Sequence, residues 1–146
     1  MRMLKSKAPN KTILFVCVEN AARSQMAEAF FNKYSPAGYH AMSAGTKPIL
    51  EINPDAIEVM KELGDDISNQ KSKEITDEMI RKSTKIVNMG CMEKETCPTL
   101  FLHNFIDWNI EDPKGKSIEK VREIRDDINQ RVKSLVTDLN RQEINN

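Results

Sequence analysis

Apolar and polar positions follow two alternating periods along this chain, and that alternation lays out its elements. Thr12–Val16 is a continuous, partly β-branched apolar run, the pattern of a strand buried on both faces. Arg23–Tyr34 then carries Met26, Ala27, Phe30 and Phe31 at helical spacing, and Pro36 stops it. Tyr39–Ser43 reads as a second strand, ended by Gly45. Asn53, Pro54 and Asp55 combine a capping side chain, a proline in the first turn and an acid at the positive dipole end. The helix they start is predicted to run to Leu63 and end at Gly64. Thr76-Asp77-Glu78 opens a helix of about two turns. Lys85–Met89 reads as a third strand, Gly90–Pro98 as a loop and His103–Trp108 as a fourth strand. Ser117 caps a long helix whose stripe of Ile118, Val121, Ile124, Ile128, Val132, Leu135 and Leu139 recurs every three or four residues.

Strands alternating with helices predict an α/β fold, with a mostly parallel sheet covered on both faces. In such sheets ligands sit beyond the carboxyl ends of the strands. The end of the first strand is therefore the place to seek chemistry. At 146 residues, with no internal repeat or linker, residues 1–146 are expected to form a single domain, residues 1–10 being a frayed tail.

Charge and hydropathy narrow the setting. Lys+Arg and Asp+Glu both total 22, so no basic excess points to nucleic acid or to an anionic membrane. The longest apolar run, Ile13–Val18, is too short to cross a bilayer or to serve as a secretory core. A cytoplasmic setting is expected. There the three cysteines would stay reduced rather than build a disulfide framework.

One of those cysteines lies where the topology puts a ligand. Cys17-Val18-Glu19-Asn20-Ala21-Ala22-Arg23-Ser24 is Cys, five residues, Arg, Ser, set between the first strand and the first helix. Backbone N–H groups at a helix start can converge on an anion, and Arg23 can grip two of its oxygens. A thiol at that helix end beside a guanidinium is placed to carry negative charge and act as a nucleophile. Ser24 can donate its hydroxyl to that sulfur. Ala21 and Ala22 let the backbone approach the anion, and Asn20 can brace the loop because its side chain both donates and accepts. Glu19 is the anomaly, since a carboxylate repels an anion; its side chain is expected to point away. The oxyanion cradle is thus read as Val18, Glu19, Asn20, Ala21, Ala22, Arg23 and Ser24.

These residues, together with Ser43-Ala44-Gly45 and Asp112-Pro113, resemble the low-molecular-weight protein tyrosine phosphatase superfamily over nearly the whole chain from about Lys11. Within it, Cys91 and Cys97 resemble the thioredoxin-coupled arsenate reductases. The resemblance implies a three-layer fold around a four-stranded parallel sheet. It also implies arsenic detoxification through a redox-active disulfide. Cys17 would attack arsenate, Cys91 would take over its sulfur as arsenite leaves, and Cys97 would draw the disulfide to Cys91–Cys97 for thioredoxin or an equivalent dithiol to reduce. Thiols then supply the electrons, and no cofactor or metal is expected.

Asp112 would protonate a departing oxygen. Lys114-Gly115-Lys116 follows, where phosphatases of the superfamily carry tyrosines, and this suits a small inorganic anion. Asn20, Ser24, Glu28, Ser43 and Lys73 are read as the loop's brace. Lys73 occupies the place where some reductases have an aspartate of a potassium site, so its ammonium would replace that ion.

Other readings remain at this point. A low-molecular-weight phosphatase built on the same cradle and a non-catalytic oxyanion or thiol sensor are the two alternatives. Cys91 and Cys97 can be inert packing thiols, or hold zinc with His103. Lys73 can extend into solvent, and Asp112-Pro113 can be a plain turn.

Overall fold

β1 (Lys11–Cys17) is the strand on which the architecture depends, because both faces and both edges of it are used. In the computed structural model, residues 11–90 and 104–145 are described. The elements that follow are α1 (Arg23–Tyr34), β2 (Tyr39–Gly45), α2 (Pro54–Lys61), α3 (Asp77–Lys82), β3 (Lys85–Asn88), β4 (Ile106–Asp107) and α4 (Ile118–Asn145). The four strands form one parallel sheet in the order β2-β1-β3-β4. Cys17 pairs with Gly45 and Val16 with Asn88, so the ends of three strands arrive together.

The unbroken apolar run of β1 follows from its two-sided burial. Ile13, Phe15 and Cys17 join the larger core, and Leu14 and Val16 join a smaller core on the other face. Successive strand residues point to opposite faces, so every position between two covered faces must be apolar. The larger core takes Met26, Phe30 and Phe31 from α1, Val59 and Met60 from α2, and the Val121, Ile124, Ile128 and Val132 stripe of α4. The smaller one takes Ile80 of α3 and Ile86 of β3. Phe15 is fully buried and tilts against both Phe31 and Trp108. Removing such a ring costs ~3–5 kcal/mol, a large share of a typical domain's stability.

The helix starts behave as their capping residues dictate. Asn53 accepts from the amides of Asp55 and Ala56, Thr76 from that of Met79, and Ser117 from that of Lys120. α2 is shorter than its pattern suggests. It ends at Lys61, and the chain turns over Leu63 to a left-handed Gly64 (φ 83°). An exposed Glu62 beyond α2 receives Arg122 and Arg125 of α4 at 2.9 and 2.7 Å. The hydrogen bond from Arg122 holds its carboxyl below the usual range. β4 is also shorter than expected, with only Ile106 and Asp107 paired to β3. The tail at 1–10, the expected loop beyond Gly90 and the expected start of β4 at His103 lie outside the described residues.

Candidate active site

The loop that joins β1 to α1 is bent around a left-handed Asn20 (φ 53°), a conformation that Asn tolerates better than most side chains. Its carbonyls are spent outward. Val18 accepts from the amide of Lys47, Glu19 from the amide of Ile49 and the hydroxyl of Ser72, and Ala21 from the amide of Asn53. A planar trans peptide points its C=O and N–H in opposite directions. The amides of Glu19, Asn20 and Ala22 are thereby turned to the inside of the loop. At the start of α1, Ala22 offers no side-chain cap, and the first turn holds no acid. The helix end is left open to a negative guest.

Cys17 sits at the base of this loop, 2% exposed. Its Sγ lies 2.9 Å from the Ser24 hydroxyl, which also accepts from Asn20 Nδ2 at 2.7 Å. Since the Asn20 amide donates to that oxygen, the hydroxyl proton is free to point at sulfur. Asn20 and Ser24, both expected in the cradle, are fully buried behind it rather than facing the guest. Their contribution to an anion is through backbone and through Cys17.

Arg23 is 94% buried, and it reaches across to the cleft wall, where Nη1 donates to the carbonyl of Ile110 at 3.1 Å and Nη2 lies 3.8 Å from Asp112. Room for it comes from Gly90, where a Cβ would collide with the guanidinium. Gly45 does the same for the loop backbone, since a Cβ there would press on the Val18 carbonyl and the Asn20 amide. Sequence reasoning assigned Gly90 only to a loop. It follows β3 by two residues, and only the register of that strand beside β1 brings it to the arginine.

Glu19 has a partner that the sequence did not suggest. Glu19 is among the residues lining the cleft, and its carboxylate pairs with Lys114 Nζ at 3.2 Å. The lysine offsets the charge that otherwise repels an anion. Above the loop opens a cleft of about 660 Å³. Its floor is Cys17, Val18, Ala21, Ala22 and Arg23. Its walls include Ile49, Ile52, Ile110, Asp112 and Lys114.

Behind the loop the structure brings together the remaining brace residues. Ser43 donates to Glu28 Oε1 at 2.6 Å, and Lys73 Nζ stands 3.7 Å from the same oxygen while donating to the carbonyl of Lys71 at 2.8 Å. Lys73 meets Asn20 through its backbone amide, at 2.8 Å from Oδ1. Gln25 and Gln70, absent from the sequence reading, complete this layer. Cys91, Cys97 and His103 lie outside the described residues, and among those described no cluster of His, Cys, Asp or Glu could hold a metal. Among them, too, no helix is long and apolar enough to cross a membrane.

A Cys-to-Ser loop at the end of the central strand of a parallel sheet, with its buried Arg beside it, defines a tetrahedral-oxyanion site on a phosphatase-like scaffold. The chain belongs to the low molecular weight phosphotyrosine protein phosphatase family, which matches residues 12–145. Relatives within reach carry a narrower name. An arsenate reductase of Brevibacillus brevis is 40% identical over 124 residues, covering 84% of this chain and 92% of that protein. The solved structure of an arsenate reductase in the phosphate binding state superposes with a TM-score of 0.78 at 33% identity, over 88% of this chain and 98% of that one. A thioredoxin-dependent arsenate reductase of Corynebacterium glutamicum gives 0.76 at 33% identity, over 92% of this chain and 64% of that one.

Proposed function

We propose that this protein is a cytoplasmic arsenate reductase, acting as one domain, with thioredoxin or an equivalent dithiol as its reductant. The observation that carries the reading is the loop itself: a buried thiol, a hydroxyl beside it and a buried guanidinium next to inward-facing amides. The family supports the anion chemistry, and the relatives named arsenate reductase support reduction over hydrolysis.

The steps balance as follows. The Cys17 thiolate attacks arsenic, and the departing oxygen leaves as water with a proton from Asp112. Arg23 and the amides of Val18 through Ser24 hold the remaining oxygens. The Cys91 thiolate then attacks the sulfur of Cys17. The pair of electrons in the S–As bond passes to arsenic, which leaves as arsenite, and a Cys17–Cys91 disulfide remains. Cys97 attacks Cys91 and releases Cys17 as thiolate. The resulting Cys91–Cys97 disulfide is reduced by the external dithiol. No cofactor is needed for this balance. Lys73, near Glu28 and bonded to Asn20, braces the loop in place of a potassium ion.

The test compares Cys91→Ser and Cys97→Ser with the parent in two assays. Arsenite release should fall to background over repeated turnovers in both variants, while aryl-phosphate hydrolysis stays within about twofold, since neither thiol takes part in ester cleavage. Arsenate turnover that survives both changes overturns the relay. A second reading has its own support, because the apolar walls at Ile49, Ile52 and Ile110 can take the organic part of a phosphomonoester. Efficient hydrolysis with no arsenate consumption would select the phosphatase reading instead.

A further inference from the structure

We infer that Gln25 and Gln70 are positioning residues that fix the direction of the hydrogen bond delivered to the Cys17 sulfur. The inference rests on Cys17 being the nucleophile of the proposed reaction. Amide side chains can be turned end for end, so their direction must be settled by partners that have only one role. Each amide here has such a partner. The Lys73 backbone N–H can only donate, and it meets Asn20 at 2.8 Å, so the atom facing it is Oδ1. Asn20 Nδ2 must then face Ser24, at 2.7 Å.

Gln25 is settled in the same way. Its Nε2 lies 2.9 Å from the backbone carbonyls of both Asn20 and Lys71, which can only accept, and 3.0 Å from Asn20 Oδ1. Oε1 of Gln25 is therefore turned to Gln70, whose Nε2 reaches it at 2.7 Å and also reaches the Gln25 backbone carbonyl at 3.1 Å.

A chain of donors results, all running one way. Gln70 donates to Gln25, Gln25 to Asn20, Asn20 to Ser24, and Ser24 to the sulfur of Cys17. Every link from Gln25 inward is fully buried or nearly so. Bonds in such a chain polarise one another, and reversing one acceptor disturbs its neighbours. The bond that Gln25 Nε2 donates to the Asn20 carbonyl also anchors the left-handed Asn20, so the pair holds both the shape of the cradle and the hydroxyl that faces the sulfur. Gln70 is half-buried, and it can be changed without opening the core.

The test uses the full chain carrying Cys91→Ser and Cys97→Ser, in which Cys17 is the remaining thiol. The bimolecular rate of its alkylation by iodoacetamide is measured with and without inorganic phosphate as protectant. Gln70→Met removes the outer donor, Gln70→Glu replaces it with an acceptor, and Gln70→Lys keeps a donor. Relative to the parent, Gln70→Met is expected to slow alkylation by about fivefold and Gln70→Glu by more, as the loss of one aligned bond implies. Gln70→Lys should stay near the parent rate, and phosphate should protect all four at a similar concentration.

The deficits should persist at about 1 M salt, where a pure charge effect is screened. Equal rates in Gln70→Met and the parent, equal slowing in Gln70→Lys and Gln70→Met, a Gln70→Glu deficit that salt abolishes, or loss of phosphate protection in step with the rate would each overturn the inference. Alkylation needs no arsenate, so a failure of the reductase reading leaves this series readable.

Discussion

The floor and the rim of the cleft are held by different physics. The floor, Cys17 to Ser24, is fixed by buried side chains and by backbone bonds drawn from three separate segments. The rim, from Asn109 to Gly115, meets the floor through the Arg23 bond to Ile110, the looser Arg23–Asp112 contact and the Lys114–Glu19 pair. Lys114 and Asp112 are more than half exposed. Buried networks are costly to disturb, whereas exposed ion pairs are worth little. The difference assigns the geometry of the chemical step to the floor and leaves the rim free to adjust which guest is admitted.

The largest expected effect comes from forcing the floor. Gly90→Ala places a methyl group where the Arg23 guanidinium lies, so the arginine must shift. Loss of one well-placed anion donor costs about 10²–10³ in rate, and arsenate turnover with phosphate affinity should fall on that scale. Near-normal turnover in Gly90→Ala would show that Arg23 is not held as described.

A smaller effect is expected behind the floor. Lys73→Met removes the ammonium beside Glu28 and should lower turnover by about fivefold, the worth of one charge-assisted contact. The parent should run at the same rate in potassium as in sodium at equal ionic strength. Strong activation of the parent by potassium would remove the lysine from this role.

The smallest effect belongs to the rim. Lys114→Met breaks an exposed pair and should change arsenate KM by about two- to threefold, with kcat held. Restoring KM by adding Glu19→Gln would show that the lysine acts by offsetting that carboxylate. A tenfold loss of kcat in Lys114→Met would erase the distinction between floor and rim.

The same distinction explains what could be read from the sequence. α1 runs from Arg23 to Tyr34 as its periodicity predicts, because its apolar face, the glycine-free interior and Pro36 agree with one another. β1 was legible as a strand buried twice, and Cys17, Arg23 and Ser24 were legible because their spacing is local. Partners distant in the chain were not. Gly90 matters because it passes an arginine 67 positions earlier, and nothing near it announces that approach. Gln25 and Gln70 read as ordinary polar residues of a helix and a loop until register brings them together. The partner of Glu19 was hidden for a related reason: Lys114 is 95 residues away. β4 was overextended because apolar content marks a strand without marking how many of its residues find a neighbour.

The reach of Arg23 to the carbonyl of Ile110 has a consequence for synthesis on the ribosome. Eighty-seven positions separate donor and acceptor. The nascent chain therefore exposes its reactive sulfur long before the groups that shelter it have been translated, and contacts so distant in order form late. Until the segment around Ile110 has emerged, the thiol has no finished enclosure, and it meets whatever oxidants surround the ribosome.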